Sequence, residues 1–134
     1  GPNKALARGQ RDPDLLARLA AEGEPPVVRE LLQNSQLTEA FVVRIAARRP
    51  CRPETLRCIY EHRRWRTRPA VALALARNPF VETEIALKLL PTLNVRDLKD
   101  IARDGMLHAT LRESAARLYE RRRLKGGAEK RNKA

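Results

Sequence analysis

The sequence predicts an all-α fold, a short stack of about eight helices, and three observations predict it. Helix-start and helix-stop residues recur at regular intervals along the chain. Between them, apolar residues fall at helical spacing. The turn residues Gly9, Asn34, Asn78 and Asp104 are each followed by a similar helix, at separations of 25, 44 and 26 residues. A period of about 25 is the mark of stacked helix pairs, because one pair cannot bury its apolar face alone. The middle gap reads as one period plus an insertion that houses a helix near 53–64.

Each element has its own justification. Asp12-Pro13 is an N-cap followed by proline at the first helical position, opening a helix over 13–22 that Gly23 closes. Pro25-Pro26 opens the next, with Val27, Val28, Leu31 and Leu32 on one face and Asn34 as its stop. Thr38 caps a helix with Phe41, Val42, Ile45 and Ala46 inward, halted before Pro50. Pro53 starts another, with Leu56, Ile59 and Tyr60 inward. Ala70 to Ala76 is apolar on every side and Ala-rich, which favours a buried helix over a strand; Asn78-Pro79 ends it. A helix over 81–90 carries Ile85, Ala86, Leu89 and Leu90 and stops at Pro91. Asn94 and Asp97 form a capping pair before Val95, Leu98, Ile101 and Ala102, and Gly105 closes that helix. The last helix runs over 109–123 with Leu111, Ala115, Leu118 and Tyr119 inward. Gly126-Gly127 then breaks into a polar, basic tail over 125–134 that reads as disordered. Residues 3–124 make one domain; Gly1-Pro2 has the look of a cleaved-tag scar and is set aside.

The stretch ALARNPFVETEIALKLLPTL (residues 74–93) resembles the units of bacterial variant leucine-rich repeat proteins, in which a short helix ends in an Asn-Pro turn. Together with NVRDLKDIARDG it is similar to HEAT-like α-helical repeat proteins. The resemblance covers about 70–120 well and the earlier units loosely, and only Asn78-Pro79 keeps the Asn-Pro turn. It implies a short right-handed α-solenoid of HEAT-like repeats and a binding role. It names no partner and transfers no catalytic residue.

Composition narrows the function. The chain of 134 residues carries 28 Lys and Arg against 16 Asp and Glu, a net charge of +12. Its distribution matters more than its size. Residues 41–77 hold ten cations and two anions, and residues 121–134 hold seven cations and one anion, while the remaining stretches each sum to −1. A localised excess is what an anion-binding footprint requires. The central candidates are Arg44, Arg48, Arg49, Arg52, Arg57, Arg63, Arg64, Trp65, Arg66 and Arg68. Arg44 and Arg48 fall one turn apart on the outer side of their helix, and Arg57, Glu61 and Arg64 share a face of the inserted one. In His62-Arg63-Arg64-Trp65-Arg66-Thr67-Arg68, four arginines surround a tryptophan. Arg pairs bidentately with phosphate, and an exposed indole stacks on a base; the competing reading anchors Trp65 in the core and leaves the arginines solvated. Arg121, Arg122, Arg123 and Lys125 form a secondary basic group, which also suits a helix C-terminus on dipole grounds alone.

Other chemistries find little support. Cys51, Cys58 and His62 lack a fourth ligand for a structural zinc site, and a buried thiol is the simpler reading. Asp97, Asp100 and Asp104 are spaced as surface charge of one helix. There is no Gly-rich phosphate loop and no Ser-His-Asp set. Some helical-repeat proteins excise damaged bases from DNA, but this chain is short for that and shows no clear catalytic acid. No apolar run approaches the roughly 18–20 residues of a membrane span, no leader precedes the first helix, and two cysteines suit a reducing cytoplasm. The expectation is a non-enzymatic, cofactor-free binding module for nucleic acid, with DNA favoured. The alternative is a scaffold for an acidic protein or peptide.

Overall fold

The computed structural model describes the backbone of residues 13–133 and the side chains of 15–127, and over that range the chain is all-helical. In chain order the elements are α1 (Pro13–Ala21), α2 (Pro25–Leu32), α3 (Glu39–Ala46), α4 (Pro53–Glu61), α5 (Arg63–Arg66), α6 (Pro69–Arg77), α7 (Thr83–Leu89), a 3-10 turn (Leu90–Thr92), α8 (Val95–Arg103) and α9 (Ala109–Lys133). The expected turn at Gly9 and the cap at Asp12 lie outside the described residues.

The starts follow local rules. Proline occupies an early position of α2, α4 and α6, where its missing N–H costs nothing and its fixed φ suits the helix. Thr38 Oγ1 accepts the Phe41 N–H at 3.2 Å, and Asn94 Oδ1 accepts the Asp97 N–H at 2.8 Å, as expected of N-caps. Three turns are built alike. The side-chain oxygens of Asn34, Asn78 and Asp104 accept the N–H of Gln36, Phe80 and Met106 at 2.9, 2.9 and 3.0 Å. Their carbonyls accept from Leu37, Val81 and Leu107, each at 3.1 Å.

Each early helix packs on the next helix but one, not counting the single turn α5. Thus α1 lies on α3, α2 on α4, and α3 on α6, and α6 also touches α4, α5, α7 and the 3-10 turn. Hydrogen bonds fix the directions. Thr55 Oγ1 donates to the Ala21 carbonyl at 3.2 Å, so the start of α4 meets the end of α1. Asn78 Nδ2 donates to the Ala46 carbonyl at 2.8 Å, so the end of α6 meets the end of α3. These ends form what we term the proximal edge. At the distal edge, Trp65 Nε1 donates to the Leu32 carbonyl at 3.0 Å, tying the α4–α6 connection to the end of α2. The interior between the edges is aliphatic: Leu32, Ile45, Leu56, Ile59, Leu75, Leu98 and Ile101 are fully buried, each stabilising the fold by about 1.5–3 kcal/mol.

Two expectations change. Helix pairs start at Pro13, Glu39, Pro69 and Val95, spaced 26, 30 and 26. The helix at Pro53–Glu61 packs on α2 as α3 packs on α1, so it follows the same packing pattern as its neighbours, and the single turn α5 is what lengthens this spacing. The last helix also continues past the stop expected at about 123, through Gly126-Gly127, to Lys133. Each glycine costs a helix about 1 kcal/mol relative to alanine, a penalty that ends a helix only where a competing turn does better.

Candidate anion-binding edge

Helices α4 and α6 divide the central arginines into two groups. Each has nine residues and a length of about 13 Å at 1.5 Å per residue. Arg48, Arg49, Arg52 and Arg77 sit at the proximal ends of these helices and of α3. Arg63, Arg64, Arg66 and Arg68 sit at the distal ends. The ten cations do not share one face.

The proximal and middle arginines are largely engaged by the protein. Arg49 donates from Nη2 to the Arg77 carbonyl at 2.7 Å, capping the end of α6. Arg52 pairs with Glu24 at 3.4 Å and with Glu54 at 3.9 Å. Arg57 holds Glu82, the residue before α7, through two hydrogen bonds, one from Nε at 2.8 Å. It also lies 3.9 Å from Glu61. The Arg57 hydrogen bond is the main cause holding the Glu82 carboxyl below its ordinary range. Arg48 lies beyond the end of α3, so it does not continue the helical face of Arg44 as expected; Arg44, exposed, has contacts of its own. Likewise Arg64 belongs to α5, and the expected face of Arg57, Glu61 and Arg64 is not formed.

The distal group is different. The His62 carbonyl accepts from Trp65 and Arg66 N–H, both at 3.0 Å, and Thr67 Oγ1 donates to the Arg63 carbonyl at 3.2 Å, closing α5 as one helical turn. Its anchor is Trp65, only 1% exposed. The expectation that its indole stacks on a base is corrected: the ring is core, and its N–H is spent on Leu32. Around this anchor, Arg63, Arg64, Arg66 and Arg68 are all exposed. Among the described residues none of the four has a carboxylate within ion-pair distance. The Arg64 guanidinium carbon lies 4.3 Å from the Trp65 ring centroid, and that of Arg66 lies 5.7 Å from Tyr60. An aromatic contact of this kind restrains a guanidinium while its N–H fork stays available. Tyr60 as a platform was not legible in the sequence, where it reads as an inward residue of α4. His62 completes the turn, with Nδ1 shielded and without a hydrogen-bond partner.

Compared with protein-family models, curated proteins and solved structures, the chain matches none. Its functional reading therefore rests on its own side chains.

The secondary basic group also divides. Arg122 turns inward: its guanidinium donates to the Leu93 carbonyl and, at 2.6 Å, to the Pro91 carbonyl, capping the 3-10 turn. Arg123 pairs with Glu120 at 3.0 Å. Arg121 and Lys125 are exposed, with no carboxylate partner among the described residues.

Other chemistries gain no site. Cys51 and Cys58 are buried free thiols. Burial pushes Cys51 up to about 11 against a smaller opposing effect of a backbone hydrogen bond at Arg52, and burial likewise raises Cys58 against Arg29. Among the described residues no group of three or more His, Cys, Asp or Glu side chains is placed to hold a metal ion, and no helix is long and apolar enough to cross a membrane.

Proposed function

We propose that this chain is a non-enzymatic binding module whose helix pairs stack as a short HEAT-like solenoid and whose distal edge binds the phosphates of nucleic acid, DNA in particular. The stacked reading is supported by the recurrence of side-chain bonds between residues 28–34 apart, such as Thr55 to Ala21, Trp65 to Leu32 and Asn78 to Ala46. One observation carries the functional reading: four exposed arginines, with no carboxylate partner among the described residues, crowd a single helical turn built on a buried tryptophan. The fold does not need them there. The other distal connections, between α2 and α3 and between α7 and α8, join their helices without any cation. Four uncompensated guanidinium groups repel one another, and a polyanion relieves that repulsion.

Fluorescence anisotropy with a labelled 12-base-pair duplex tests it. In about 20 mM salt the wild type binds, and the affinity falls steeply as salt rises. Arg63→Glu/Arg64→Glu/Arg66→Glu abolishes binding while far-ultraviolet circular dichroism stays helical. Absence of wild-type binding at low salt overturns the reading. A second reading, an acidic protein or peptide partner, is favoured by one observation. Phe80 and Met106 occupy equivalent turn positions on the proximal edge and are 42% and 70% exposed. Titration with a poly-glutamate peptide compares the two: tighter binding of the peptide than of the duplex, at equal salt, favours the protein partner.

A further inference from the structure

The sequence separates its two basic groups by more than fifty residues, yet the fold returns both to one edge. The α4–α6 connection, with Arg63, Arg64, Arg66 and Arg68, lies at the distal edge. So does the 3-10 turn, because α7 begins at the proximal turn of Asn78 and runs away from it. Helix α6 touches both α5 and the 3-10 turn. Helix α9 starts at the proximal turn of Asp104, runs back across the domain, and is pinned to the 3-10 turn by Arg122, through the Pro91 and Leu93 carbonyls. Arg122 thus acts as a positioning residue. It fixes where the last part of α9 leaves the domain, and its neighbours Arg121 and Lys125 are exposed there.

Resting on the nucleic-acid reading above, we infer that α5 and the distal part of α9 form one continuous phosphate track along this edge, for the backbone of a nucleic-acid duplex. Between the two groups lie α6 and the 3-10 turn, two packing steps of about 8–10 Å each. Along one strand a span of roughly 20 Å is about six nucleotides at roughly 3.4 Å each, within the length of a 12-base-pair duplex. A duplex is the partner because the edge offers charge without stacking. Trp65 is buried, Tyr60 is half-buried beside Arg66, Tyr119 is half-buried, and the exposed aromatic Phe80 belongs to the proximal edge. A single strand gains affinity from base–aromatic stacking; a duplex offers a denser line of charge, about one per 1.7 Å. Recognition by such a track is insensitive to base sequence.

The salt slope of binding to the 12-base-pair duplex tests the track, since each phosphate contact contributes about 0.9 to the slope of log K against log salt. Arg121→Gln/Lys125→Gln lowers the slope by about 2 and weakens binding several-fold at 100 mM salt. Arg63→Gln/Arg64→Gln/Arg66→Gln/Arg68→Gln lowers it by about 3.6. The proximal control Arg48→Gln/Arg77→Gln leaves the slope within about 0.5 of wild type. Circular dichroism verifies that every variant is folded. If the α5 variant alone moves the slope, the track is overturned and the binding reading stands. If the proximal control moves it as far as the α9 variant, or a 12-residue single strand binds more tightly than the duplex, the track is also overturned. Absence of wild-type binding at low salt overturns both.

Discussion

Asn78 is the side chain on which the junction of α3, α6 and α7 turns, and its replacement separates two physical claims. The residue is fully buried. Its Nδ2 donates to the Ala46 carbonyl at 2.8 Å and to the Arg48 carbonyl at 3.0 Å, while Oδ1 accepts the Phe80 N–H at 2.9 Å. Asn78→Ala removes three hydrogen bonds worth about 1 kcal/mol each, and leaves the Ala46 carbonyl dry, so the expected loss is about 3 kcal/mol. That is a large share of a typical stability of roughly 5–15 kcal/mol. In urea, with a slope of about 1–3 kcal/mol per molar, the midpoint falls by at least about 1 M, read by ellipticity at 222 nm. Asn78→Asp is worse than Ala at pH 7. It keeps the acceptor for Phe80 but turns a carboxylate oxygen toward two carbonyls at the negative end of α3. Its folded pKa must then lie above the unfolded value near 3.9. The extra deficit accumulates as pH rises from about 3.9 through that raised value, and acid relieves it. Asn78→Ala within about 0.5 kcal/mol of wild type, or Asn78→Asp more stable than Asn78→Ala at pH 7, refutes the assignment of these bonds.

Two further outcomes follow from buried side chains. Trp65 is the sole tryptophan, so native emission is blue-shifted, resists iodide quenching and does not respond to bound duplex; Trp65→Phe costs at least about 1 kcal/mol through the lost bond to Leu32, and a red, quenchable native emission refutes its burial. The Cys51 thiol, raised from 9.0 to about 11, stays protonated at pH 8, so neither thiol reacts with Ellman's reagent on the minute scale until the protein unfolds. Because the fold holds that proton more tightly than the unfolded chain, stability falls as pH climbs from 9.0 through about 11. Rapid native labelling at pH 8 contradicts the burial of both.

The helices were legible because their signals are local. Prolines 25 and 53, Thr38 and Asn94 each mark a start through chemistry confined to one turn, and the structure starts helices there. The phase of the repeat was not legible. Asn34 and Asn78 build the same turn, with acceptor distances of 2.9 Å in both, yet Asn34 follows α2 at the distal edge and Asn78 follows α6 at the proximal edge. Which end of a helix a turn occupies is decided by tertiary packing, so aligning the two turns produced a gap of 44 and a spurious insertion. The same distinction governs Trp65. Four flanking arginines mark the segment as surface, but the indole reaches across to a carbonyl 33 residues earlier, a partner no local pattern names.

The two edges differ in what the fold asks of their cations. At the proximal edge, Arg49 caps the end of α6, Arg52 holds Glu24, and Arg57 in mid-helix holds Glu82. Each of these arginines satisfies a carbonyl or a carboxylate from another element, and replacing it by glutamine would leave that group to solvent. On the distal edge, among the described residues, Arg122 serves the domain in this way. Of the four arginines around α5, Arg64 and Arg66 lie against aromatic rings and none has a carboxylate within ion-pair distance among the described residues, so their mutual repulsion is left uncompensated in the folded state. Cations that stabilise a fold are found with partners; a cluster without partners lowers stability in isolation and gains it back on meeting an anion. Duplex binding should therefore raise the thermal midpoint at low salt by an amount that the α5 glutamine variant loses, while that variant, free of ligand, unfolds at least as high as wild type. A ligand-free variant that melts well below wild type would mean the arginines hold the turn together, leaving no repulsion for a polyanion to relieve.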